Sequence, residues 1–111
     1  MTRSDHDIFN DHVAVLTRQL GLDLARLDEA ERRQLLADAW RRKANDHEAA
    51  VAVACAHVQR LLEHDVERAR VLLDRVGLLC DQWRERGLVD AALTTAFEQQ
   101  ARRALRSAAS E

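Results

Sequence analysis

Histidine and cysteine are the residues of this 111-residue sequence best suited to chemistry. His57 and His64 are seven residues apart, which on one continuous helix separates them by roughly 10 Å. That distance is too long for two ligands of one metal ion unless another element contributes. The sequence also lacks a His-Glu-x-x-His motif. We therefore predict no metal ligands and no cofactor. A metal- or ligand-sensing bundle that uses His57, His64 and a cysteine is an alternative.

Candidate nucleophiles receive no support from their surroundings in the sequence. The serines lie close to the termini, Thr17, Thr94 and Thr95 lie inside helical stretches, and no glycine-rich turn precedes any of them. Cys55 and Cys80 lie in apolar helical stretches, which is typical of small buried hydrophobic residues in a reducing compartment. We predict no catalytic residues and no enzymatic activity.

Composition predicts a helical protein. The sequence has no proline, only three glycines, and an abundance of alanine, leucine and arginine. Its 17 basic and 19 acidic side chains give a net charge of −2, which makes nucleic acid an unlikely partner. No apolar run approaches the roughly 18 residues of a membrane span. The polar N-terminus does not resemble a signal peptide, so a cytoplasmic location is expected.

Side chains that cap helix N-termini, and glycines that end helices, divide this single predicted domain into segments. An N-terminal helix covers residues 1–21. A first helical hairpin covers residues 28–64, and a second covers residues 65–107, with its last helix beginning near Leu88. The capping residues are Ser4, Asp28, Asn45, Asp65 and Asp90, and the glycines that end helices are Gly21 and Gly87.

The segment 46–86 has two interpretations. Its apolar positions keep a spacing of three or four residues throughout, so one helix of about 40 residues would fit. Because helices of that length are rare in globular domains, we favour two helices with a break near His64 and Asp65. The segment Ala49–Leu62 is apolar nearly all round over its first half, which predicts a central element covered on several sides.

An internal sequence similarity suggests a repeat. Leu35–Ala44 and Leu78–Gly87 share five of ten residues at a separation of about 43 residues. Stacked helical hairpins have periods of this size, although chance similarity is an alternative in so biased a composition. We predict an all-α fold, a compact bundle of four to five antiparallel helices, interpreted as two stacked hairpins with a pseudo-repeat of about 43 residues.

Each copy of this similarity contains a tryptophan beside arginines, and these residue types dominate interface hot spots. An equally simple interpretation is that tryptophan completes the core while arginine favours a helix C-terminus. We predict a partner-binding surface that comprises Trp40, Arg41, Arg42, Trp83, Arg84 and Arg86.

Together these observations favour a non-catalytic protein–protein interaction module. Its expected partner is an amphipathic helix or peptide of another protein, or a second copy in a homodimer. A DNA-binding helix-turn-helix near residues 11–31 is an alternative. It is weakened by the three basic and seven acidic residues of the segment 1–31, which would repel phosphates.

Overall fold

A computed structural model of the protein describes residues 5–20 and 29–109. Within these residues the chain forms helices and no strand, which confirms the all-α bundle of four to five helices. The helices are α1 (Asp5–Gln19), α2 (Glu29–Arg41), α3 (Asp46–Leu61), α4 (Val66–Glu85) and α5 (Ala91–Ala109).

Capping residues separate α3 from its neighbours. The Asn45 side chain accepts the N–H of Glu48 at 2.8 Å, and the Glu48 carboxylate accepts the N–H of Asn45 at 2.9 Å. This reciprocal capping box begins α3. Asp65 begins α4, because its carboxylate accepts the N–H of Arg68 at 3.1 Å. The predicted break near His64 and Asp65 is therefore confirmed, and residues 46–86 form two helices.

The turn between α4 and α5 corrects one predicted boundary. Gly87 follows α4 with a φ of 70°, as expected of a glycine that ends a helix. The next helix begins at Ala91 and not near Leu88, because the Asp90 carboxylate accepts the N–H of Leu93 at 2.8 Å. The predicted signals at Ser4, Gly21 and Asp28 lie outside the described residues.

Helix α3 is the central element of the bundle, as predicted. It packs against each of the other four helices. Its buried side chains point in nearly every direction around its axis, and most of them are small, so neighbouring helices can approach closely. They are Glu48, Ala49, Ala50, Val51, Val53, Ala54, Cys55 and Val58.

Short turns join α2 to α3, α3 to α4, and α4 to α5, so consecutive helices run antiparallel. Helix α4 packs against both α3 and α5, whereas α2 and α5 both pack on α3 without an extensive contact between them. A side of α3 is therefore left uncovered between α2 and α5. None of the described helices has both the length and the apolar character that a bilayer span requires.

Candidate partner-binding groove

The uncovered side of α3 forms the floor of a groove that opens to solvent. Ala52, Ala56 and Gln59 follow one another along this side at intervals of four and three residues, and each is partly buried. The groove has a volume of about 220 Å³. One wall consists of Leu35, Asp38 and Ala39 from α2 and Arg42 from the turn that follows it, and the other consists of Leu93, Phe97 and Gln100 from α5.

A buried carboxylate fixes one wall of the groove relative to its floor. Glu48 is 8% exposed, and besides capping α3 it accepts the N–H of Asp90, the residue before α5, at 2.8 Å. The Asn45 side-chain amide donates to the carbonyl of Leu88 at 2.8 Å in the same region. These bonds hold the first turns of α3 and α5 side by side, so the two helices run parallel and their separation is fixed at this end.

The apolar groove has charged side chains at one end. Because α2 runs antiparallel to α3, Arg42 lies at the end where α3 and α5 begin, whereas Gln59 and Gln100 lie at the other end. Asp38 forms an ion pair with Arg41. Arg42 is exposed and has no ion-pair partner within the described part of the chain. An acidic group that enters this end would therefore find a cation available.

The predicted cluster at the end of α2, which comprises Trp40, Arg41 and Arg42, lies only partly along the groove. Arg42 lines it, and Arg41 pairs with Asp38 at its edge. Trp40 is 42% exposed, but its ring makes an edge-to-face contact with Phe9 of α1, with the ring centroids 5.1 Å apart. Trp40 therefore lies at the seam between α1 and α2 and does not line the groove.

The predicted cluster at the end of α4 comprises Trp83, Arg84 and Arg86. Trp83 and Arg84 contact other side chains within the bundle. Trp83 is 4% exposed and contacts the ring of His47 edge-to-face at 4.9 Å. The Arg84 guanidinium donates to carboxylates of Glu98 and Asp81, each at 2.7 Å. Burial lowers the pKa of Arg84, but the hydrogen bond to Glu98 and the negative charges of Glu98 and Asp81 outweigh it and raise this pKa above its ordinary value.

Arg86 follows α4 directly and is exposed. The structure does not bring it together with Trp40 or Arg42 at the groove. Trp83 and Arg84 are already occupied by contacts within the bundle.

A shift of one residue explains why the two tryptophans differ. At the end of α2 the Ala44 N–H donates to the Ala39 carbonyl, and Lys43 in this turn has a φ of 57°. At the end of α4 the Leu88 N–H donates to the Trp83 carbonyl in the same way, and Gly87 takes the place of Lys43. The structural counterpart of Trp83 is therefore Ala39, which is buried, and not Trp40. One residue rotates a side chain by about 100° around a helix. The pseudo-repeat remains a prediction.

The two cysteines are protected thiols on facing helices. Cys55, at the groove floor, is 3% exposed, and burial raises its pKa to about 12, with a further contribution from Glu98. Cys80 is fully buried, and burial raises its pKa to about 11. A thiol reacts as its thiolate, so both groups are poor nucleophiles near neutral pH.

The histidines of the alternative metal site do not come together with a cysteine. His57 is partly buried, its Nδ1 atom has no hydrogen-bond partner, and burial lowers its pKa. His64 is exposed in the turn between α3 and α4. Over residues 5–20 and 29–109, no group of three or more His, Cys, Asp or Glu side chains is arranged to hold a metal ion. The turn of the alternative helix-turn-helix lies outside the described residues.

Comparisons with protein-family models, with curated proteins and with solved structures found no match. Sequence reasoning named Arg42 but missed the rest of the groove. The sequence contained one signal for the groove. Small or polar residues recur every three or four positions at Ala52, Ala56 and Gln59, and they interrupt the large apolar side chains around α3.

Proposed function

We propose that this protein is a non-catalytic interaction module that holds an amphipathic helix of another protein in the groove between α2 and α5. The observation that carries the proposal is the uncovered alanine floor of a helix that is otherwise enclosed by four neighbours. An added helix would complete the packing around α3, which is how amphipathic helices are commonly recognised.

The floor suits a helix more than an irregular peptide. Ala52 and Ala56 project only a methyl group, so a second helix axis can approach to about 8–10 Å. The walls offer Leu93 and Phe97 on one side and Leu35 on the other for contacts with large apolar side chains. These contacts supply the hydrophobic burial that drives association.

The size of the groove supports a side-chain anchor over a cofactor. Its volume of about 220 Å³ is below the roughly 300–1,000 Å³ that is typical of small-molecule pockets. That space suits large apolar side chains from successive turns of one helix. Arg42 favours a partner whose acidic side chain lies at the end of the groove where α3 begins.

The experiment introduces a charge into the groove and compares it with the same charge outside. Ala56→Glu places a carboxylate on the floor, and Ala92→Glu places one on an exposed position of α5 that does not line the groove. Immobilised wild type and both variants are incubated with extract of the native host. We expect wild type and Ala92→Glu to retain the same protein, and Ala56→Glu to lose it.

Binding of a synthetic helix from the retained protein is then measured by calorimetry. We expect Ala56→Glu to weaken it at least about tenfold, because an unpaired carboxylate is costly to bury. Circular dichroism checks that the variant is folded. Equal retention by all three proteins, or no retention by wild type, would contradict the proposal.

A further inference from the structure

Helix α4 carries a second uncovered apolar surface, on the side opposite the bundle core. Val71 is 57% exposed and Leu78 is 67% exposed. They are seven residues apart, so they project in nearly the same direction, two turns apart along the helix. The buried side chains of α4, among them Leu73, Val76 and Cys80, face the other way. The two side chains form an apolar line along the middle of the exposed surface.

Charged residues border this line and repeat with the same period of seven. Glu67, Asp74 and Asp81 lie along one side of it, and Arg68 and Arg75 lie along the other. All five are exposed. The surface therefore has an acidic edge, an apolar centre and a basic edge.

Four of these five charges keep most of their capacity for an external partner, whereas Asp81 accepts a hydrogen bond from Arg84 at 2.7 Å. Asp74 is 3.9 Å from Arg102, which is longer than a hydrogen bond, and its side chain is 64% exposed. Glu67 forms only a long contact of 3.4 Å with Arg70 on its own helix. In the described part of the chain, the side chains of Arg68 and Arg75 have no ion-pair partner.

We infer that α4 pairs with α4 of a second copy of this chain, in parallel orientation, about a two-fold axis that runs along the helices. In this arrangement Val71 meets Val71 of the second copy, and Leu78 meets Leu78. The acidic edge of each helix faces the basic edge of the other, so Asp74 pairs with Arg75 across the axis, and Glu67 pairs with Arg68. One surface thus provides both halves of a closed contact.

Charge decides the orientation. A two-fold axis perpendicular to the helices would make them antiparallel. The acidic edge of one helix would then face the acidic edge of the other, and the basic edge would face the basic edge. Arg75 would then face Arg75, and Asp74 would face Asp74, and such like-charge contacts oppose association. The parallel arrangement pairs both arginines of the basic edge with an acidic side chain of the second copy.

The dimer is expected to be weak. Only two apolar side chains per copy enter the contact, so the buried area falls below the roughly 1,200 Å² of a stable complex. We expect a dissociation constant in the micromolar to millimolar range, roughly. Added salt should weaken it further, because exposed ion pairs are screened.

The dissociation constant of the dimer is measured by sedimentation equilibrium at protein concentrations from about 1 µM to 1 mM, which cover the range expected of so small a contact. Val71→Glu disrupts the apolar line, and Val15→Glu is its matched control, because Val15 is 53% exposed on α1. We expect wild type and Val15→Glu to form the same concentration-dependent dimer, and Val71→Glu to raise the dissociation constant at least about tenfold. A wild-type monomer over the whole range, or an equal effect of both substitutions, would overturn the inference.

Reversal of charge tests the edges. Arg75→Asp should weaken the dimer, because two acidic side chains then face each other. Combining it with Asp74→Arg should restore the wild-type dissociation constant within about threefold, since each pair is again opposite in charge. If the combination is as weak as Arg75→Asp alone, the charges do not meet across the axis and the inference fails.

Disulfide cross-linking tests the orientation. Leu78→Cys should form a covalent dimer under mild oxidation, whereas Val15→Cys should not. The native thiols are buried and should stay unreacted. If cross-links form only in an equal mixture of Val71→Cys and Leu78→Cys proteins, the helices are antiparallel and the proposed orientation is wrong.

These results are separable from those for the groove, which lies on another side of α3. Val71→Glu should leave capture of the helical partner unchanged, and Ala56→Glu should leave the dimer unchanged. Failure of one variant therefore says nothing against the other surface.

Discussion

Replacing each tryptophan by alanine should separate two residues that the sequence similarity pairs. Trp83 is 4% exposed, so Trp83→Ala opens a cavity in the core and removes the ring contact with His47. Buried aromatic-to-alanine changes cost about 3–5 kcal/mol. Trp40 is 42% exposed, and its ring makes an edge-to-face contact with Phe9. We expect Trp40→Ala to cost about 1–2 kcal/mol, of which an aromatic pair supplies about 0.5–1.5 kcal/mol.

The free energy of unfolding is measured by urea denaturation followed by circular dichroism, with thermal melting as a second measurement. At about 4 °C per kcal/mol for a domain of this size, Trp83→Ala should lower the Tm by roughly 12–20 °C, and Trp40→Ala by roughly 4–8 °C. Neither tryptophan lines the groove, so capture of the helical partner should survive Trp40→Ala. Equal losses of stability from the two substitutions would refute the one-residue shift between the closing turns of α2 and α4.

Two further predictions concern buried groups. Glu48→Ala leaves the N–H groups of Asn45 and Asp90 without their acceptor, which should lower the free energy of unfolding by about 1–3 kcal/mol for each group. Glu48→Gln keeps one acceptor oxygen, so its loss of stability in urea denaturation should be about half as large. Equal losses from the two substitutions would argue against the double role of the carboxylate. The thiols of Cys55 and Cys80, with pKa values of about 12 and 11, should react with Ellman's reagent at pH 8 at least about a hundredfold more slowly in the native protein than in urea. Because these pKa values are raised on folding, the stability that they contribute is complete below about pH 9 and should fall as the pH rises from about 9 to 12. Rapid labelling of the native protein would contradict this burial.

Local signals in the sequence predicted most of the helix boundaries. Asn45 with Glu48, Asp65 and Gly87 act through hydrogen bonds or backbone angles within a few residues of themselves, so their effect does not depend on the rest of the fold. The missed start of α5 has the same local origin. Asp90 satisfies the N–H of Leu93, and that bond fixes the first turn more strongly than the apolar pattern from Leu88 onward.

The sequence also identified the central helix, because a segment that is apolar nearly all round can be stable only when neighbours cover it. It did not identify the groove. Whether Ala52 and Ala56 are covered depends on the angles at which α2 and α5 cross α3, and the ion pairs and caps that set those angles join residues far apart in the chain. Glu48 and Asp90 are one example.

The sequence alone determined the set of helices and their caps. It also determined which thiols and apolar stripes lie inside the bundle. Each of these features follows from contacts within one or two helical turns. Only the tertiary structure decided which tryptophan is buried, because a single residue of difference between two helix ends turns a side chain by about 100° from the core towards solvent. It also decided that α3 keeps one uncovered side, because two helices pack on it without closing over it.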